Sequence, residues 1–245
     1  MSWQIGLIGT GNVATFWAKL LNNQPGITIY VSGRTQAASL QFCSSLNIVN
    51  TTSLGDCDFF LVCVQDSEIK NALEHLPRDK AIFICTALFS IADLPEYNLG
   101  IIYPLQTLRK EVDTTIDQVP FLCEFIETNQ MLGEAFLNKI AARYTHCSEK
   151  DRFIAHASAV FINNFGYYIA KQGLALAASQ NLSFELFKPL IEKSKSNLLI
   201  EKDLQTGPAR RNDQETIAKH LSILPQEYRE LYEVLTKHIT ATFNP

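Results

Sequence analysis

Apolar residues in the first half of the chain form short uninterrupted runs that alternate with helical patterns. Trp3 to Ile8 is one such run and Asp58 to Val64 is another, and runs of this kind are typical of strands buried in a parallel sheet. Behind the first run, apolar residues recur on one face of an amphipathic helix, namely Val13, Phe16, Trp17, Leu20 and Leu21. This order of elements predicts the first part of a strand–helix–strand unit.

The same alternation continues to about residue 147. Further strands are predicted at 27–31, 47–51, 81–85, 100–103, 121–125 and 144–147, and further helices after Asp66 and at 128–142. We therefore expect residues 1–147 to form an α/β domain with a doubly wound, mostly parallel sheet.

The pattern changes at about Ser148. From Glu149 to Gln180 the sequence predicts one long helix without proline, and apolar residues lie on nearly every side of it. Helical patterns continue through 184–203 and 213–243, so we expect residues 148–245 to form an all-helical domain. A helix that is apolar on every side must be covered by neighbours, often those of a second subunit. We therefore expect a homodimer formed through the helical domain.

Composition and charge narrow the class of protein. With 47% apolar and 19% charged residues, the 245-residue chain is typical of a globular protein. The net charge is −4 and the basic residues form no long run, so we expect no nucleic-acid partner. No apolar stretch reaches the roughly 18 residues that span a bilayer, and the N-terminus lacks the basic segment of a signal peptide. We expect a cytoplasmic protein that does not bind membranes.

Six cysteines are scattered along the chain, and no two of them are two to four residues apart. That spacing disfavours a zinc site, so we expect no metal. Cys63, Cys85 and Cys123 lie within apolar runs, which favours buried free thiols in a reducing compartment.

The first helix is preceded by the run Gly9-Thr10-Gly11-Asn12-Val13-Ala14, which has the form Gly-x-Gly-x-x-Ala. Glycines at these positions bend a strand into a helix N-terminus whose amides can face the pyrophosphate of a dinucleotide. The flanking strand and amphipathic helix supply the context that this motif requires. We therefore expect a Rossmann-like domain that binds a dinucleotide through residues 9–13. The alternative is an ordinary glycine turn without a ligand.

The residues after the second predicted strand indicate which dinucleotide binds. An acid about 20 residues beyond the motif usually binds the ribose hydroxyls of NAD(H). Here that zone contains Ser32, Arg34 and Thr35, and the first acidic residue of the chain is Asp56. Arg34 can pair with a 2′-phosphate, to which the two hydroxyls can donate hydrogen bonds. The sequence therefore predicts NADP(H) rather than NAD(H).

Two further loops follow predicted strands at the edge of the sheet where ligands of open α/β folds bind. We expect Val64 and Gln65 in one loop, and Thr86 in the other, to contact the nicotinamide side of the cofactor. An interpretation without a ligand is equally open for both loops, because loops after strands are commonly polar.

Three polar residues share one face of the long predicted helix. Arg152, His156 and Asn163 are spaced at i, i+4 and i+11, which lie within about 40° of the first on a regular α-helix. On so apolar a helix they need polar partners. They either satisfy one another or a neighbouring helix as structural groups, or line a cleft between the domains. In the second case His156 is the acid/base, Asn163 orients the substrate and Arg152 holds an anion.

A second polar cluster extends from Thr206 to Asp213. Gly207-Pro208 breaks one helix, and Asp213 is a good N-cap for the next. Arg211 is a candidate for binding an anionic group of the substrate or cofactor. The alternative is an ordinary loop that connects two helices.

The N-terminal half resembles pyrroline-5-carboxylate reductase and the deazaflavin-dependent NADP reductases, through the glycine run and the Ser-Gly-Arg-Thr stretch ending at Thr35. The whole chain resembles a narrower group, Rossmann-like NADP oxidoreductases with the C-terminal domain of unknown function 2520. That resemblance is carried by Tyr103-Pro104-Leu105-Gln106-Thr107, by the stretch from His156 to Phe165, and by Thr206-Gly207-Pro208 with Arg211 and Asp213. It implies a substrate-binding role for Gln106 and a helical dimerisation domain like that of 6-phosphogluconate dehydrogenase.

Several positions depart from the pattern of that group. Its members usually have His-Ser or His-Thr where this chain has Cys85-Thr86, and usually have histidine at the position of Tyr103. These departures leave open whether that edge of the site is catalytic. The Ser-Pro-Gly-Gly-Thr-Thr run of pyrroline-5-carboxylate reductases and the helix lysine of β-hydroxyacid dehydrogenases are also missing. Neither substrate therefore carries over to this chain.

These residues together predict an NADP(H)-dependent oxidoreductase, which transfers a hydride to or from a small-molecule C=O or C=N substrate at the interdomain cleft. The alternative is a non-catalytic NADP(H)-binding sensor or scaffold protein, dimeric through the same helices. Turnover of NADPH distinguishes the two.

Overall fold

The structure is a computed structural model that describes residues 2–48, 54–200 and 202–244. The chain divides into two compact units, residues 1–163 and 164–245. The sequence analysis expected a boundary between residues 147 and 148, where the pattern changes. The compact division falls later, so the residues that carry Arg152 and His156 belong to the first unit.

The first unit contains, among its described residues, a sheet of seven strands. They are β1 (Trp3–Ile8), β2 (Ile27–Ser32), β3 (Phe59–Val62), β4 (Ala81–Ile84), β5 (Leu99–Pro104), β6 (Pro120–Phe125) and β7 (Arg143–His146). Their order is β2-β1-β3-β4-β5-β6-β7. All neighbouring strands are parallel except β5 and β6, which are antiparallel. The predicted α/β fold with a mostly parallel sheet is confirmed.

Helices cover both faces of this sheet. Those of the first unit are α1 (Asn12–Leu21), α2 (Gln36–Ser45), α3 (Ile69–Leu73), α4 (Glu127–Lys139) and α5 (Glu149–Ala159). Residues of α1, α2 and α4 share one hydrophobic cluster with the sheet, whereas residues of α3 belong to a second cluster. Phe59 lies in the first cluster and Phe60 in the second, since successive side chains of a strand point to opposite faces.

Helix α2 is an element that the sequence analysis did not assign. Thr35 caps its N-terminus by accepting a hydrogen bond from the Ala38 amide at 3.1 Å. After its C-terminus, Asn47 has a left-handed φ of 54°, a conformation common just beyond helix ends. The strand predicted at 47–51 falls mainly on residues outside the described ranges, and Asn47 and Ile48 are not in a strand.

The order of the strands reverses at β1, because β2 pairs with one side of β1 and β3 with the other. Ligands of open α/β sheets bind beyond the carboxyl ends of the strands at such a switch point. The glycine loop follows Ile8, the last residue of β1. The fold therefore puts this loop at the edge where a dinucleotide would bind.

Helix α5 runs into a six-residue π-helical turn, Val160–Phe165. The sequence analysis predicted a regular helix from Glu149 to Gln180, so this turn is a difference. A π turn widens the helix, and residues beyond it lose the angular positions of a regular α-helix. The regular helical spacing that predicted the alignment of Asn163 with His156 is therefore absent.

The second unit, described by itself, is helical. Its helices are α6 (Gly166–Ser179), α7 (Lys188–Leu198), α8 (Gln214–Ile223) and α9 (Gln226–Phe243), and its described residues contain no strand. Asp213 caps α8 as predicted, since its carboxylate accepts a hydrogen bond from the Thr216 amide at 3.0 Å. Across the described residues of the whole chain, no helix combines the length and apolar character needed to cross a membrane.

Candidate functional site

The loop between β1 and α1 requires glycine at its first position for a structural reason. Gly9 has a left-handed φ of 119°, and a Cβ there would lie 2.4 Å from the Cys63 carbonyl oxygen. The backbone of the loop thus packs directly against the end of β3. Only glycine fits both the conformation and this close approach.

Gly11 differs, because no contact among the described residues demands a glycine there. Its φ is −83°, and an added Cβ would meet no heavy atom of the described residues within 4 Å. Gly11 is the N-cap of the ten-residue helix α1, no side chain caps that helix, and no acid lies in its first turn. A helix N-terminus with these properties suits an anionic group that approaches the backbone. The residues present therefore fit the pyrophosphate of a dinucleotide, with Thr10, Asn12 and Val13 beside it.

The loop after β2 is tied to the glycine loop. The Gly9 amide donates to the Ser32 carbonyl oxygen at 2.7 Å. The Gly33 amide donates to Ser39 Oγ at 2.7 Å, which fixes the turn into α2. Arg34 is 78% exposed at its side chain, so its guanidinium is accessible to a phosphate. Ser32, the last residue of β2, and Arg34 and Thr35 just after it thus lie at the edge of the sheet that carries the glycine loop.

The structure also brings an acid to this region. Glu68 Oε1 lies 3.9 Å from Arg34 Nη2. Glu68 belongs to the loop after β3, far from Arg34 in sequence, and the sequence predicted no contact between the two residues. The rule that the carboxyl ends of parallel strands lie along one edge of the sheet could have found it. Because of this acid, the choice between NADP(H) and NAD(H) depends on more than the residues around Arg34.

The loops after β3 and β4 are joined by a hydrogen bond. Thr86 Oγ1 donates to the carboxylate of Asp66. Gln65, next to Asp66, is exposed, whereas Val64 and Thr86 are partly buried. The three residues predicted to contact the cofactor thus lie on adjoining loops at the carboxyl edge of the sheet.

Two buried cysteines follow the same strands. Cys63 and Cys85 come directly after Val62 and Ile84, which are paired in the sheet. Burial raises the pKa of the Cys63 thiol well above its ordinary value, and a hydrogen bond with Cys85 adds to the shift. A thiol held protonated is a poor nucleophile and a poor metal ligand. No group of three or more metal-ligating side chains occurs among residues 2–48, 54–200 and 202–244.

The guanidinium of Arg152 binds groups of the protein itself. Its side chain is fully buried. Nε donates to the Ala87 carbonyl oxygen at 2.9 Å, Nη2 donates to the Phe89 carbonyl oxygen at 2.6 Å, and Nη1 pairs with the Glu124 carboxylate. This geometry favours the structural alternative for Arg152, which anchors the loop after β4 instead of holding a substrate anion. The pKa of Glu124 lies above its ordinary value, because burial and the charge of Glu149 together outweigh the lowering by the Arg152 guanidinium.

His156 and Asn163 both contact the segment at the end of β5. His156 Nδ1 lies 2.9 Å from Tyr103 Oη, and Asn163 Nδ2 donates to Thr107 Oγ1. The π turn contains Asn163, and such turns frequently lie at functional sites. The two side chains thus point to the carboxyl edge of the sheet, although the helix between them is not regular. Tyr103 and Thr107 are site residues that the sequence analysis did not assign.

Gln106 and Arg211, the other two residues predicted to bind the substrate, differ in how far their side chains are free to do so. Gln106 uses both ends of its amide within its own segment, since Nε2 donates to the Gln118 carbonyl oxygen at 2.8 Å and Oε1 accepts from the Thr107 amide at 2.8 Å. Arg211, in the second unit, is 64% exposed at its side chain and lies 3.8 Å from the Asp213 carboxylate. Its guanidinium remains accessible to an anion.

Comparisons with known proteins bear on the family and the fold of the chain. Residues 119–239 match the family described as domain of unknown function DUF2520. A candidate NADP oxidoreductase from Bacteroides fragilis is similar in structure, with 25% identity, a TM-score of 0.83 and 98% of each chain covered. No curated protein sequence matches the chain significantly.

Two reductases show the same fold at lower identity. One is 1-pyrroline-5-carboxylate reductase from Streptococcus pyogenes, with 19% identity, a TM-score of 0.63, and coverage of 99% of this chain and 94% of that one. The other is an imine reductase variant from Myxococcus stipitatus, with 16% identity, a TM-score of 0.63, and coverage of 99% and 96%. The predicted resemblance is therefore confirmed: this is a Rossmann-like protein that matches DUF2520 over residues 119–239.

Proposed function

We propose that this protein is an NADP(H)-dependent oxidoreductase acting on a C=O or C=N carbon of a small molecule. One observation carries the proposal. The glycine loop, which suits a pyrophosphate, lies at the carboxyl edge of the sheet. The hydrogen-bonded pair of Tyr103 and His156 lies at the same edge. Strands β1 and β5 are three positions apart, or roughly 14 Å at the usual strand spacing. A dinucleotide extended along this edge would bring its nicotinamide toward the end of β5.

The roles of the cofactor-binding residues follow from their chemistry. The amides at the start of α1 bind the pyrophosphate, with Gly11 permitting the close approach. Arg34 pairs with the 2′-phosphate, helped by the hydroxyls of Ser32 and Thr35. Val64, Gln65 and Thr86 adjoin the ribose and nicotinamide. The nicotinamide, when bound, supplies or accepts the hydride.

The remaining chemistry is the movement of one proton and the orientation of the substrate. Reduction of a carbonyl or imine leaves negative charge or a free electron pair on the oxygen or nitrogen, which must take a proton. His156 is the acid/base of the site, and Asn163 orients the substrate. The name of the Bacteroides fragilis protein, and those of the two reductases, agree with this class of reaction.

We propose further that the protein is a homodimer whose interface is formed by the helical unit. Large apolar side chains are exposed on α6, on α7 and just after it, among them Tyr167, Tyr168, Leu190, Leu198 and Leu199. Large exposed apolar patches are rare on soluble monomers. A second copy of the same surface would cover it through a two-fold interface.

Turnover of NADPH by purified protein tests the enzymatic proposal. A panel of small ketones, aldehydes and cyclic imines is screened by the loss of NADPH absorbance. With an active substrate, His156→Ala should lower turnover by about 10²–10⁴-fold and leave NADPH affinity within about threefold of the parent. Retained turnover with a lower melting temperature would show that His156 is structural. Tight NADPH binding without turnover of any panel member would favour a sensor or scaffold.

A further inference from the structure

Tyr103 occupies a position at the candidate site that the proposed function does not use. It lies at the carboxyl end of β5, one residue before the strand ends at Pro104. Its side chain packs against the hydrophobic cluster that contains Ile8, Val62 and Ile84. Those three residues are the last of β1, β3 and β4. Tyr103 thus packs against the strand ends that carry the loops proposed to bind the cofactor.

The contact between Tyr103 and His156 is well defined. Tyr103 Oη and His156 Nδ1 are 2.9 Å apart. The two rings meet edge to face, with centroids 5.8 Å apart and an interplanar angle of 71°. Both residues are partly buried. Burial raises the pKa of the Tyr103 phenol, so the hydroxyl keeps its proton.

This hydrogen bond can run in either of two directions, with different consequences. If the phenol donates to Nδ1, its one proton is used within the pair. If Nδ1–H donates to Oη, the phenolic O–H stays available for a third group. Only the second arrangement lets the residue at the end of β5, where ligands of such sheets bind, give a proton to a substrate.

We propose that Tyr103 delivers the proton to the reacting oxygen or nitrogen, and that His156 is a positioning residue that donates Nδ1–H to Oη. The inference rests on the proposed function and changes the role of His156 within it. In the reducing direction, the carbonyl or imine carbon gains the hydride of a dihydronicotinamide, which is thereby oxidised. The phenolic O–H bond breaks and its proton joins the substrate heteroatom. The phenolate, which still accepts the Nδ1–H hydrogen bond of His156, is then reprotonated from solvent, so one solvent proton is consumed per turnover and His156 keeps its Nδ1 proton.

The helical unit contains a matched control for this pair. His220 Nδ1 lies 2.7 Å from Tyr232 Oη, with ring centroids 5.7 Å apart at an interplanar angle of 83°. His220 is on α8 and Tyr232 on α9, so this pair joins two helices and is not at a strand end. Tyr232→Phe removes the same hydroxyl from the same kind of contact. We expect it to leave turnover unchanged.

The direction of the hydrogen bond is measured first, in the protein without substrate or cofactor. Long-range ¹⁵N–¹H spectra of ring-labelled histidine report which nitrogen carries the proton when the imidazole is neutral. The His156 signals are those missing from His156→Gln. We expect His156 to be protonated at Nδ1, and Tyr103→Phe to move the proton to Nε2. A wild-type His156 protonated at Nε2 would overturn the proposal without reference to any activity.

The second arm compares turnover on the substrate found in the panel. Tyr103→Phe should lower kcat by about 10²–10⁴-fold with the KM for NADPH within about threefold. His156→Gln, whose amide can still donate to Oη, should lose less than Tyr103→Phe. If Tyr103→Phe retains kcat while His156→Ala loses it, this inference fails and the proposed function stands. If the wild type turns over no substrate, the proposed function fails, and this inference fails with it.

Discussion

The two units of the chain bury their apolar residues to very different extents. In the first unit, aromatic side chains such as Trp17, Phe59 and Phe136 are fully buried and contact one another edge to face or tilted. In the described part of the second unit, the buried residues are Ala177, Ala209 and Ile217. Side chains as large as Leu198 are instead 81% exposed there.

This difference separates a unit with a large buried core from one with almost none. The sheet buries its core beneath helices on both faces, although apolar side chains such as Met131 and Ile162 are exposed in the same unit. The helices of the second unit carry apolar residues that their own packing does not cover. This comparison agrees with the proposal that the first unit binds the cofactor and that the second unit binds another copy of the chain.

The largest effect is expected from a charge at the proposed interface. Leu198→Glu removes apolar contacts and buries a carboxylate in each of two copies, which should weaken the dimer by about 3 kcal/mol or more, over 100-fold in Kd. Light scattering at micromolar concentration should give about twice the 27.5 kDa chain mass for the wild type and a lower mass for the variant.

Met131 on α4 provides the control, because it is equally exposed at 82% but belongs to the first unit. Met131→Glu should leave the mass at the wild-type value. A monomeric wild type, or equal effects of the two substitutions, would remove the distinction between the two units.

Substitutions at the two glycines of the first loop should distinguish an effect on packing from an effect on cofactor binding. Gly9→Ala forces a strained φ and a contact with the Cys63 backbone, so it should lower the free energy of unfolding by about 2–4 kcal/mol. Gly11→Ala meets no atom of the described residues, but alanine is a poorer N-cap than glycine, so it should lower the free energy of unfolding by no more than about 1 kcal/mol. It should nevertheless weaken NADPH binding at least about tenfold, since its methyl occupies the approach to the helix N-terminus.

Thermal unfolding and NADPH titration of both variants make this measurement. Unchanged NADPH affinity in Gly11→Ala would favour the ordinary glycine turn over a dinucleotide cradle.

A smaller effect is expected at Glu68. Its carboxylate lies 3.9 Å from Arg34 and competes with a 2′-phosphate for the guanidinium. The pair is exposed, so Glu68→Gln should tighten NADPH by no more than about 1 kcal/mol, or roughly fivefold. NADH affinity should stay constant if Glu68 acts through Arg34. A loss of NADH affinity in Glu68→Gln would instead mean that this acid binds the ribose hydroxyls.

The sequence predicted the fold and the glycine loop because both depend on local patterns. Apolar runs identified the strands, and the spacing of Gly9 and Gly11 identified the turn into α1. The contacts of Glu68 with Arg34 and of Tyr103 with His156 join residues far apart in sequence, so no local pattern contains them. The spacing of residues on a regular α-helix likewise cannot predict the π turn that contains Asn163. The burial of Arg152 depends on carbonyl groups of a distant loop, which side-chain patterns do not record.

The account rests on the binding of a phosphorylated dinucleotide to the first unit, and titration with NADPH and NADH tests it most directly. A paired phosphate is worth about 1.5–3 kcal/mol per charge-assisted hydrogen bond, so NADPH should bind at least about tenfold more tightly than NADH. Arg34→Ala should erase most of that difference and leave NADH affinity unchanged. Equal affinities for NADPH and NADH in the wild type, or binding of neither, would contradict the account.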